Sequence, residues 1–243
     1  MSKQPSASII HRWTAVAGNA QLWGGQDTYI DVPWDALPPL ASASLDGTFG
    51  WLPEPSTGLD RMQYGNEEDE PSPNQIAAVL KRRVAETSSA GLRLPASFSS
   101  FVSNPTLLHR VPSCTSCRFE LGERLVPIPG SSGPARLLRF MNDQQCCVIW
   151  YLMLEPDGSH RVASAAPEWF EEEQGESLED LALPVDVAIC ATSFEEFIKR
   201  FWIENTLWYA VNQGSPPLTG ELREYLDTAQ KRAVRASAVV QQK

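Results

Sequence analysis

The sequence predicts an α+β domain with a mostly antiparallel central sheet flanked by helices. Three observations predict it. Apolar residues recur at helical spacing in Asn74–Glu86 and again after Ser193. Between them, Val148–Leu154 (VIWYLML) is apolar without polar alternation, the pattern of a strand covered on both faces. Helices, strands and helices follow one another in blocks, whereas parallel winding would alternate them singly.

Residues 1–70 form a distinct opening segment. Trp13, Trp23, Trp34 and Trp51 stand among Pro33, Pro38, Pro39, Pro53 and Pro55. Proline at that density forbids long helices, and the aromatics require packing against something. Short strands and turns are expected, one of them around Asp27–Val32. The segment closes on Glu67, Glu68, Asp69 and Glu70, a solvated loop. Residues 71–243 make the main domain.

The first helix follows Pro73, with Asn74 as its cap and Ile76, Val79, Leu80 and Val84 on one face. A second, short helix follows Pro95 and carries Phe98, Phe101 and Val102, stopped by Asn104-Pro105. Strands are expected at Arg118–Leu121, Arg136–Met141 and Gln145–Leu154. Glu155-Pro156-Asp157-Gly158 is turn chemistry, with His160–Ala163 as the return strand. Ser193 and Glu196 have capping-box spacing before Phe194, Phe197, Ile198, Phe201, Trp202 and Trp208. Gly214, Pro216 and Pro217 end that helix, and Leu218–Val234 is a last amphipathic one.

Composition bounds the function. The net charge is −10, from 30 acids against 20 bases. That excludes nucleic acid and anionic membrane as main partners, since both need a cationic footprint. It favours a basic protein partner. No stretch is long and apolar enough for a signal peptide or a bilayer span, and the five Cys form no disulfide framework. The expected setting is a reducing cytoplasm.

Several stretches together resemble the SMI1/KNR4 (SUKH) family over residues 72–210. They are the helix Asn74–Glu86 running into Leu94-Pro95-Ala96-Ser97-Phe98-Ser99-Ser100-Phe101, then Leu137–Gln145, the Trp150 strand, and Ser193-Phe194-Glu195-Glu196-Phe197-Ile198. The resemblance implies an α+β binding domain without catalytic residues or cofactor, acting as an immunity protein against a toxin or as a regulatory adaptor. The Trp-rich opening segment and a CxxC pair depart from the family pattern.

The candidate partner-binding residues fall in two places. Trp169 and Phe170 precede Glu171, Glu172 and Glu173 in an acidic stretch, Pro167–Asp186, that has no Lys or Arg; aromatics ringed by charge resemble an interface. Asn142, Asp143 and Gln144 lie between two strands, as a tight turn or a recognition loop. The alternative reading is a zinc- or thiol-dependent protein built on Cys114 and Cys117, with His109 and one of Cys146 and Cys147 as further ligands. Against it, Arg118–Leu121 reads as strand, so no helix N-terminus is available to activate Cys114. Nucleophilic catalysis finds no support: Gly130-Ser131-Ser132-Gly133 lacks the spacing of a nucleophile elbow, and the only histidines are His11, His109 and His160.

Overall fold

A computed structural model describes residues 8–16, 28–40, 45–65, 71–128, 133–165 and 186–240. Its strands are β1 (Ser8–Val16), β2 (Tyr29–Pro33), β3 (Gln63–Tyr64), β4 (Arg118–Phe119), β5 (Val126–Pro127), β6 (Arg136–Asn142), β7 (Ile149–Leu154), β8 (His160–Ala165) and β9 (Asp186–Ala191). Its helices are α1 (Pro73–Ser89), α2 (Ala96–Val102), α3 (Pro105–Leu108), α4 (Phe194–Gln213) and α5 (Gly220–Val240).

The α+β class is present, but the sheet is mixed, not mostly antiparallel as expected. Its order is β2-β1-β9-β8-β7-β6-β4-β3, with β5 also on β6. β1 runs parallel to β9, Ile9 opposite Val187 and His11 opposite Ile189, and β3 runs parallel to β4. A parallel neighbour needs a crossover connection. Here the crossover is almost the whole chain, so no local pattern announces it. The opening segment supplies strands at both ends of the sheet: β1 and β2 at one, β3 at the other.

β7 is buried at every position, and its side chains divide by parity. Trp150, Leu152 and Leu154 join one core with Leu138, Phe140, Val162 and α4 residues Phe194, Phe197 and Phe201. Ile149, Tyr151 and Met153 join a second core with Leu137, Ala163, Val187 and Ile189. Alternation of side chains across a strand makes this division. A third cluster joins α4 to α5 through Ile203, Leu207, Leu222, Tyr225 and Leu226.

The caps differ in detail from expectation. α1 is capped by Ser72 rather than Asn74: the Ser72 hydroxyl accepts from Gln75 N, and Gln75 Oε1 accepts from Ser72 N at 2.7 Å. Pro73 then occupies the first helical position, where its missing N–H does no harm. At α4, Ser193 Oγ accepts from Glu196 N at 3.1 Å as expected, but the Glu196 carboxylate reaches back to Thr192 N at 2.9 Å, one residue before the cap. Gly214 closes α4 at φ +73°, a conformation glycine adopts without strain. Among the described residues no helix is long and apolar enough to cross a membrane.

Candidate functional site

Two stretches singled out in the sequence lie together at one end of β6 and β7. The Cys114–Cys117 turn and the Asn142–Gln145 turn meet where Gln144 N donates to Thr115 O at 3.4 Å. Asp143 organises its own turn: its N–H donates to Val148 O, its carbonyl accepts from Cys146 N, and its Oδ1 accepts from Val148 N at 3.2 Å. Asn142 Nδ2 donates to Asp143 O at 3.0 Å. Asn142 and Asp143 are buried, while Gln144 is exposed. Of the three residues expected to present polar groups to a partner, only Gln144 is exposed. The other two are turned inward to hold the turn.

Tyr29 of β2 reaches this junction. Its hydroxyl lies within electrostatic reach of Asp143, Cys117 and Thr115, though none of them closes a bond of full hydrogen-bonding geometry with it. Burial is the main cause that holds Tyr29 protonated, and burial likewise raises the Asp143 carboxyl above its ordinary range.

The cysteine turn is fastened rather than poised. Asn205 Oδ1 of α4 accepts from Cys114 N at 2.9 Å and from Cys114 Sγ at 3.1 Å. Ser113 Oγ accepts from Cys117 N at 2.7 Å. Burial raises the Cys114 thiol far above its ordinary value and pushes Cys117 up to about 11. A thiol that stays protonated at neutral pH is a poor nucleophile and a reluctant metal ligand. Among the described residues no group of three or more His, Cys, Asp and Glu converges as metal ligands. Cys146 and Cys147 stand in the turn, not on a strand as the sequence implied, with Cys146 at φ +56° and Cys147 exposed.

His160 begins β8 and points at the start of α4, where its Nε2 accepts from Phe194 N at 3.2 Å. Only the neutral ring can accept this bond, and the positive end of the helix dipole opposes a charged one. Burial lowers its pKa below the ordinary 6.5. The unfolded chain therefore takes up this proton first. The stability from the bond is complete above pH 6.5 and is lost as pH falls through the lowered folded value. Between pH 7.5 and 5, the wild type should lose more unfolding free energy than His160→Gln, as read from urea midpoints. Equal losses would refute the assignment.

Trp169, Phe170, Glu171, Glu172 and Glu173 lie outside the described residues. Sequence reasoning missed a row of buried polar residues on α4. Glu195, Lys199, Arg200, Glu204 and Asn205 are all at most 4% exposed. Glu195 accepts from Gly47 N and from Trp51 Nε1 at 2.9 Å. Lys199 Nζ pairs with Glu221 at 2.7 Å and lies over the Trp51 ring, 4.4 Å from its centroid. Arg200 donates to Pro38 O and Tyr225 Oη. A polar residue repeating on a helix that also carries apolar ones reads as its wet face. Only the unusual Trp and Pro content of residues 1–70 hinted that something would cover it.

Compared with known proteins, the chain matches no family model, no curated protein and no solved structure.

Proposed function

We propose that this chain is a non-catalytic protein-binding module of the SUKH kind, working in the cytoplasm as a toxin-immunity protein or a regulatory adaptor. One observation carries the reading. Three of the side chains best suited to chemistry are already committed to holding loops: Cys114 to Asn205, Asp143 to Val148 N, and His160 to Phe194 N. Such groups give no converging acid, base and nucleophile. The stretches behind the resemblance also fold in the order α1, α2, β6, β7, α4, as a helix pair, a sheet and a closing helix. The thiol-dependent alternative gains no support from Cys114 and Cys117, whose raised pKa values oppose reactivity.

The residues assigned to the partner are Trp169, Phe170 and Glu171–Glu173, with Gln144 at the sheet end. The excess of acids makes that partner basic. Tagged protein recovered from its native cells should carry one near-stoichiometric basic protein. The triple charge reversal E171K/E172K/E173K should reduce its recovery at least about tenfold, and raised salt should slow its capture. Absence of a stoichiometric partner, or full retention by the triple variant, would overturn the proposal. A partner that kills cells when expressed alone identifies the immunity role; a harmless one identifies the adaptor.

A further inference from the structure

A cleft of about 240 Å³ opens between residues 53–61, the α3–β4 connection and the α4–α5 connection. Its walls contain Pro53, Pro55, Pro112, Pro216 and Pro217. Proline rings are apolar and their backbone is already restricted, so little order has to be created when a ligand enters. Leu59, Trp202 and Leu222 add further apolar surface. Trp202 is itself held edge-on to Trp51, with ring centroids 6.1 Å apart, and Lys199 Nζ lies 5.2 Å from its ring. The ring is thus a fixed, half-buried platform.

The charged lining is unequal. Glu54 and Arg110 pair with each other, and Arg110 also donates to Leu52 O, so their charges offset. Arg61 makes no ion pair among the described residues and stands exposed at the rim. Arg61 therefore lines the cleft as an exposed cation with no acid paired to it among the described residues, on a lining that mixes apolar side chains with the polar His109, Ser56, Thr206 and Thr219. Guanidinium is a planar donor fork matched to a carboxylate. Ser56 and Thr219 supply hydroxyls on the same lining.

We infer that this cleft binds a small carboxylate carrying one apolar ring, with the ring against Trp202 and the prolines and the carboxylate on Arg61. The volume sets an upper size: it lies below the roughly 300–1,000 Å³ of sites for drug-sized ligands, and a single ring with its carboxylate fits within it. The cleft adjoins the back of the cysteine turn through Pro112 and Thr206 but includes none of the residues assigned to a protein partner, so the proposal is independent of the protein-binding role.

Benzoate is the probe. Its titration into 15N-labelled protein should give a saturable shift of the Trp202 indole N–H, identified by its disappearance in Trp202→Phe. Benzamide, with the ring but no charge, and acetate, with the charge but no ring, should each bind at least about tenfold more weakly. Arg61→Gln should weaken benzoate about tenfold and leave benzamide unchanged. Thr219→Trp, which puts a bulky ring at the mouth, should abolish both responses. Equal affinity for benzoate and benzamide, unchanged benzoate binding by Arg61→Gln, or no saturable shift at millimolar benzoate would each overturn the inference.

Discussion

Phe194→Ala should lower the unfolding free energy by about 3–5 kcal/mol, the cost of truncating a fully buried aromatic. Phe194 is the first residue of α4 and is 0% exposed. Its ring meets Phe98 and Phe101 of α2 at 4.9 and 5.4 Å, Phe140 of β6 at 5.5 Å, and Phe49 of the opening segment at 6.2 Å. These contacts are edge-on, the arrangement aromatic quadrupoles favour. The variant leaves a void where helix, sheet and opening segment join, and the surrounding rings are too rigid to fill it. Phe194→Leu keeps most of the volume and should cost less than about 1.5 kcal/mol. Urea unfolding followed by circular dichroism measures both. A loss below 1 kcal/mol for the alanine variant would show that this junction is not where the core is tied together.

Glu204→Ala should cost about 3–5 kcal/mol, because it strands two buried donors that share one carboxylate. Glu204 is 1% exposed. Its Oε2 accepts from Trp13 Nε1 of β1 at 2.6 Å, and its Oε1 accepts from Tyr225 Oη of α5 at 2.8 Å. Tyr225 in turn accepts from Arg200 Nη1 at 2.9 Å. Burial holds Tyr225 well above its ordinary pKa, so it remains a donor across the accessible pH range. One carboxylate therefore links the first strand to the last helix through α4. Glu204→Gln keeps one acceptor oxygen and should lose less. The chemical readout is the Trp13 indole proton, whose exchange with solvent should accelerate in the alanine variant while amides of β6 to β8 stay protected. Unchanged exchange at Trp13 would mean that Glu204 does not hold β1.

Local chemistry was legible where it acts over a few residues. The Pro95 start and Asn104-Pro105 stop of α2, the Glu155–Gly158 turn before β8, and Ser193 at the head of α4 follow from proline geometry, turn composition and capping, none of which needs a distant partner. The start of α1 was misplaced by two residues because Ser72 and Asn74 are both capable caps, and only the position of Pro73 decides between them. The candidate site was legible in part. Asn142–Gln145 reads as a turn from composition; Asn142 ends β6 and the turn spans residues 143–148, reaching past Gln145 into the expected strand. That this turn meets the Cys114 turn, through Gln144 N on Thr115 O, depends on a residue far away in the chain.

What the sequence determined alone is the class of the molecule: its helices, its buried β7 strand and its acidic charge, all set by period, by local backbone preference and by composition. Tertiary structure alone decided that β1 lies parallel to β9, that the charged residues of α4 are buried, and that Arg61 and Trp202 share a cleft. Each of these rests on contacts between residues distant in the chain, Ile9 with Val187, Gly47 with Glu195 and Arg61 with Trp202 among them, where no local free energy favours the contact. Burial of many apolar surfaces at once, with each buried polar group finding a partner, selects among such arrangements.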